Sequence, residues 1–451
     1  MLTEKNYKWI NWAGNFSCVA ENYYEPETEN ELREIISQAN KRNKKVRVVG
    51  AGHSFSPIAL CDDVLISLKK QRKIISIEGN LVVCEAGIYL HELYHLLLSA
   101  GLSLPNFGVI NKQTLSGAVS TGTHGSGLKH KSLSACIKKL RLILANGEVK
   151  EIDRHTILEV GKESYNFLDI LSVSFGLLGI ISQITLECEP IFYLSSKEHS
   201  VSFDEYLESM DELASSYEYF KAWWFPHTER VNLFKAERIE VENYKNKKTL
   251  EKYSDEQKKR DKEIDLVTSP LFIKSNNDPS IIPGINQHCL DYYFTDRTRI
   301  GTSFEILVHD ETVPMIVSEY ALPIKNNQHK NALVDFKNKL ESSGLKLHFP
   351  VDLRYTTGES SWLSSSFQND SFYIGVCIRE YNKKEIPKPM RLFFDCMKSH
   401  KARPNWGKLF DLTGKDLENL FPRWADFKKV KQQLDPQNIF TNIHLDKLFE
   451  Y

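Results

Sequence analysis

Two periods of apolar residues alternate along the chain. In residues 28–39 the apolar positions Leu32, Ile35, Ile36 and Ala39 follow a T-x-x-E capping box, Thr28 and Glu31, so a helix is predicted there. The run VRVV at 46–49 then reads as a buried strand, and residues 64–68 and 81–84 as further short strands. Residues 89–100 read as a helix closed by Gly101, with Leu90, Leu93 and Leu97 on one face. Residues 140–144 before Asn146-Gly147 signal a hairpin, and 175–186 (FGLLGIISQITL) a glycine-rich turn entering a strand. Beyond Ile191, strand-like stretches alternate with amphipathic helices such as 203–216. The aromatic cluster at 223–227 reads as core of a second sheet, and 304–308 and 317–323 return to strand patterning. The charged stretch 241–262 reads as an exposed helix or an excursion.

The chain's 451 residues exceed what one core usually serves, so two domains are expected. A net charge of −1 gives no field favouring nucleic acid or an anionic membrane, and neither partner is expected. No run of about 18 apolar residues is present, so no membrane span is expected. The first residues, MLTEKNYKWINW, lack an apolar stretch of signal-peptide type. Eight cysteines without a C-x-x-C favour reduced thiols and a cytoplasmic location over disulfides or zinc. His91 and His95 lie four apart on the 89–100 helix, but no third ligand accompanies them, so no metal is expected.

The chemistry begins where the VRVV strand ends. Gly50-Ala51-Gly52 must turn tightly or approach something closely, and His53 and Ser54 follow at once. Phe55 stands where a dinucleotide fingerprint needs its third glycine, and Pro57 falls inside the helix such a motif opens, so this is not a Rossmann turn. Taken alone, the stretch could be a glycine turn beside a structural histidine. A second cluster, residues 114–127 (TLSGAVSTGTHGSG), packs four glycines, three threonines, several serines and His124 around apolar Ala118 and Val119. Short side chains and free N–H groups suit a diphosphate.

Together these stretches resemble the FAD-linked oxidases of the vanillyl-alcohol oxidase superfamily, and within it the aldonolactone oxidases, with alditol oxidase nearby. Residues 11–18, 367–371 and 434–449 resemble family segments too, so the likeness spans nearly the whole chain and is weakest at 235–285. The resemblance implies an α+β, two-domain flavoprotein: an FAD-binding domain at 1–190, a substrate (cap) domain at 191–408, and a segment at 409–451 that returns to the first domain. That tail carries Leu417, Leu420, Phe421, Trp424 and Phe427, which need a surface to bury against.

The resemblance further implies FAD held covalently through His53, within a cradle of Gly50, Ala51, Gly52, Ser54, Thr114, Ser116, Gly117, Thr121, Gly122, Thr123, His124, Ser126, Gly179 and Ile181. The family carries a strand E-x-R and then an H-W-x-K. Here these are Asp352-Leu353-Arg354 and Asn405-Trp406-Gly407-Lys408. A lone D-x-R is more often a surface pair; its position in the family pattern is what singles it out. Asp352, Arg354 and Lys408 become the implied catalytic groups, and Asp352, Asn405 and Lys408 the implied substrate contacts. Aspartate replaces the usual glutamate and asparagine the usual histidine. The implied reaction is oxidation of a sugar-derived lactone by hydride transfer from C–OH to FAD N5, with O2 reduced to H2O2. An alditol or polyol oxidase, a lactone dehydrogenase using another acceptor, and a flavin protein without catalysis remain open.

Overall fold

A computed structural model describes residues 2–240, 270–309, 315–379 and 385–450, with scattered positions between 259 and 268. Most of the charged stretch 241–262 lies outside the described residues. The fold is α+β, with three sheets of four or more strands among the described residues. The first joins the hairpin Leu2–Ile10 and Ser17–Tyr24 to the parallel strands Val64–Ser67 and Val46–Val49. The second is antiparallel, in the order Ile74–Glu78, Leu81–Glu85, Ile180–Glu187, Ile137–Ile143 and Val149–Asp153. The third is antiparallel with eight strands; its centre runs Tyr219–Phe225, Val351–Thr356, Ser371–Arg379 and Met315–Pro323.

Helix Glu29–Lys41 buries Leu32, Ile35, Ile36 and Ala39. Its capping box is half formed: Thr28 accepts from the Glu31 N–H, while the Glu31 carboxylate reaches past Thr28 to the Glu27 N–H, 2.7 Å away. One reading fails. Residues 304–308 belong to a short helix, Ser303–Leu307, not to a strand. Thr302 accepts from the Glu305 N–H and the Glu305 carboxylate accepts from the Thr302 N–H, so a complete box starts a helical turn. A five-residue apolar run carries too few periods to separate the two.

Alternation in the eight-stranded sheet divides its faces. On one, Trp224 meets Phe203 and Phe336, and Tyr320 meets Phe393, so helices Phe203–Ser216, Gln328–Ser342 and Lys388–Ser399 cover it. The other face carries Lys221, Trp223, Asp352, Arg354, Tyr373, Gly375 and Glu319 in facing register.

The tail is tied to the Val46 strand. The Val46 N–H donates to the Ile439 carbonyl at 2.8 Å, and buried Arg47 donates to that of Phe440 at 3.2 Å. The Asn442 amide reaches the carbonyls of Pro57, Ile58 and Leu60. Trp406 is fully buried; its indole N–H donates to the Leu363 carbonyl at 2.6 Å, and its ring lies 4.4 Å from Phe175 and 6.2 Å from Trp424. Trp406→Ala is expected to cost about 3–5 kcal/mol through the cavity left behind. Urea unfolding of the two proteins measures it.

Candidate functional site

The Val46–Val49 strand delivers Gly50-Ala51-Gly52 to the rim of a cleft of about 950 Å³. Gly50 abuts the second glycine stretch: a Cβ there would fall 2.3 Å from the Thr114 hydroxyl oxygen. Gly52 has a φ of +73°, open to glycine and strained for most side chains. Gly50 thus lets the first stretch close on Thr114, and Gly52 supplies the turn that follows. The cleft is lined by Gly50, Ala51, Gly52, His53, Ser54, Thr114, Ser116, Gly117, Thr121, Gly179 and Ile181.

His53 lies 4.9 Å from the Trp12 ring in a stacked arrangement, and its Nδ1 is buried with no hydrogen-bond partner. Burial, then the charges of Lys408 and Lys112, push its pKa down to about 4, so the imidazole is neutral at pH 7. Arg47 also lines the cleft, with a buried, unpartnered Nε. Orphaned nitrogens beside a cradle of glycine and short hydroxyl residues fit a polar, phosphate-bearing cofactor such as FAD.

A second cavity, of about 1150 Å³, shares His53, Ser54, Gln113 and Thr121 with the first. The polar face of the eight-stranded sheet forms its floor: Asp352, Arg354, Gly375, Glu319 and Trp223 line it, as do His124, Asn405 and Lys408. Arg354 donates to Asp352 Oδ2 along their strand. Burial works against the Arg354 charge, but Asp352 and Glu319 outweigh it and hold the pKa above its ordinary value. Glu319 is buried, accepting from the Asn405 amide at 2.6 Å and lying 3.3 Å from His124 Nε2. Burial alone would raise its pKa; His124, Lys408 and Arg354 together hold it well below the usual carboxylate range. Lys408 stands over the Phe55 ring at 5.1 Å, and the Phe55 N–H donates to the Gly407 carbonyl. The segment carrying Lys408 is thus fastened to the loop carrying His53.

A family model described as D-arabinono-1,4-lactone oxidase matches residues 184–448, and one described as FAD binding domain matches residues 20–153. The chain belongs to the D-arabinono-1,4-lactone oxidase family. It is accordingly an FAD-dependent oxidoreductase of the aldonolactone oxidase type. It is 31% identical to the L-gulonolactone oxidase of Scyliorhinus torazame, over 98% of both chains. It is 29% identical to the L-gulono-1,4-lactone dehydrogenase of Mycobacterium tuberculosis, over 96% of this chain and 97% of that one. The solved cholesterol oxidase from B. sterolicum shares the fold, with a TM-score of 0.76 at 15% identity, over 98% of this chain and 96% of that one.

In this oxidoreductase the residues singled out from sequence divide into three groups. Eleven line the glycine cleft, as given above, with His53, Ser54 and Thr121 shared by the second cavity. Thr123, His124, Asp352, Arg354, Asn405 and Lys408 line the second cavity. Gly122 and Ser126 line neither. Gly122 faces Val173, and Ser126 donates to the Phe220 carbonyl, tying the glycine loop to the eight-stranded sheet.

Sequence reasoning missed Glu319 in the second cavity and the tail residue Phe440 in the lining of the glycine cleft, and also the buried Lys221, which lines neither but stands beside Arg354. Glu319 had a visible signal, a lone carboxylate inside the apolar strand MIVSEYALP. Lys221 sits opposite Arg354 in register, with its amine 4.8 Å from the centres of both the Trp223 and Phe234 rings. Burial, then the Arg354 charge, push its pKa down to about 7. Of the helix 89–100 histidines, His91 Nδ1 lies 3.3 Å from the Asn111 carbonyl, and His95 packs on Phe304.

Proposed function

We propose that the chain oxidises a C–OH group of an aldono-1,4-lactone to a carbonyl, giving an ascorbate-type product, with O2 as electron acceptor. The observation that carries this reading is the ionic row of Asp352, Arg354, Glu319 and Lys408 in one cavity that opens onto His53. Bound FAD supplies the acceptor for the hydride leaving the C–OH carbon. Asp352 accepts hydrogen bonds from substrate hydroxyls and orients Arg354. Arg354 and Lys408 hold positive charge where negative charge develops. Asn405 takes the place of the family's histidine as a neutral donor, fixed by its bond to Glu319. Neutral sugar lactones offer many hydroxyls and little apolar area, which suits a site of carboxylate, amide and cation.

We also infer that FAD is linked covalently through His53. A neutral imidazole with an unpartnered nitrogen at the junction of the two cavities supports this. Acid precipitation of the yellow protein is expected to carry flavin into the pellet, and His53→Ala to leave it in the supernatant. Free flavin from both proteins would end the covalent reading. The division at about 190 and 408 is likewise a proposal, supported by the tail's bonds to the Val46 strand. Among the described residues no helix is long and apolar enough to cross a membrane. We propose a cytoplasmic location from the eight free cysteines, scattered along the chain as reduced thiols would be.

A panel of aldonolactones and alditols, scored anaerobically by flavin bleaching and in air by peroxide release, tests the reaction. Bleaching by no lactone would overturn it. Bleaching without peroxide would favour a second reading, a dehydrogenase passing electrons to another acceptor, as the name of the Mycobacterium tuberculosis relative suggests.

A further inference from the structure

Strand Ser371–Arg379 reads SFYIGVCIR, and its one glycine lies at the middle of the eight-stranded sheet. Glycine in a strand interior weakens it and usually marks a bulge or a close approach of backbone. Neither holds at Gly375. Its register is unbroken against Asp352 on one side and Glu319 on the other, and it has no left-handed φ. A Cβ built there would meet Asp352 Cβ at 3.5 Å and Glu319 Oε1 at 3.6 Å, ordinary contacts that leave room for a methyl group. What the position supplies is the missing side chain. The result is a notch in the cavity floor, flanked by two carboxylates.

Each of the two carboxylates keeps one oxygen that the arginine, the amide and the imidazole do not take. Arg354 takes Asp352 Oδ2, while Asp352 Oδ1 is buried without a partner. The contacts of Asn405 and His124 both fall on Glu319 Oε2, and Oε1 is the oxygen near Gly375. Two carboxylate acceptors on either side of a small gap select neutral O–H donors and repel anions. Trp223, next in the row beyond Asp352, adds an apolar wall for C–H groups.

The geometry points to the Gly375 notch as a subsite for the hydroxylated carbons that lie outside the lactone ring, with Asp352 and Glu319 each accepting from one hydroxyl. This rests on the lactone reading above and extends it: Gly375 is the residue that admits the exocyclic chain, so preference among aldono-1,4-lactones follows the length of that chain. A four-carbon lactone has no exocyclic carbon and makes no use of the notch.

Gly375→Ala in the flavin-loaded enzyme tests this with erythrono-, arabinono- and gulono-1,4-lactones. For the six-carbon lactone kcat/KM is expected to fall by roughly ten- to two-hundred-fold, the range for one methylene misplaced in a pocket, with the loss mainly in KM. The fall is expected to shrink with the exocyclic chain and to be smallest for the four-carbon lactone, and flavin content and melting temperature are not expected to fall. Gly375→Ser, whose hydroxyl would itself occupy a carboxylate, is expected to lose at least as much as Gly375→Ala on the long substrate. A parallel fall on all three lactones, or no fall on any, overturns the subsite. If the wild type oxidises none of them, the functional reading falls first. The same comparison is then made from the flavin absorbance change on binding four- to six-carbon alditols. A Gly375→Ala protein that binds all of these as the wild type does overturns the subsite independently.

Discussion

Arg354→Ala is expected to lower turnover of an aldonolactone by about a hundred-fold or more, the usual cost of losing one preorganised electrostatic donor. Flavin content is expected to be unchanged, because Arg354 does not line the glycine cleft. The substitution removes positive charge from the cavity and leaves Asp352 without its ion-pair partner beside an already ionised Glu319. Asp352→Ala is expected to weaken substrate binding and to free Arg354 from its orientation. The double variant is expected to be little worse than Arg354→Ala alone, since groups acting as a unit are strongly non-additive. Steady-state kinetics on the four proteins decides it: losses that simply add would show two independent residues.

The second large effect is expected at Glu319, for stability. Its carboxylate is buried and held ionised by His124, Lys408 and Arg354. Glu319→Gln removes the charge that Lys408 and Arg354 face, and breaking such a buried set typically costs about 3–5 kcal/mol. The sign of the pH dependence follows from the depressed pKa. Glu319's contribution is full above its unfolded value of about 4.3 and fades as pH falls toward the folded value. The stability gap between wild type and Glu319→Gln is therefore expected to be constant from about pH 5 to 7 and to narrow below pH 4. Urea unfolding across that range measures it. A gap that widens in acid would mean the carboxylate is not held ionised by its neighbours.

The sequence by itself determined the local elements whose period or punctuation is strong. The Glu29–Lys41 helix follows its apolar spacing, and the Ile137–Ile143 and Val149–Asp153 hairpin follows Asn146-Gly147. It also marked the glycine stretches by their composition, and put Asp352 and Arg354 on one face because residues two apart on a strand share it, while the family pattern singled that pair out. The run 304–308 was beyond it, since five residues do not resolve a period and a cap decided them.

Only tertiary structure decided which distant residues meet. Glu319 becomes a site residue because strand Met315–Pro323 pairs with Ser371–Arg379, which pairs with Val351–Thr356. That register sets it one place beyond Gly375 from Asp352, and the Asn405 amide closes on it from 86 residues away in sequence. Lys221 likewise stands beside Arg354 only through the pairing of Tyr219–Phe225 with Val351–Thr356. Side-chain period within a strand is a local property, readable from one segment. Register between strands is fixed by the packing of a whole sheet against its helices, and no single segment contains it.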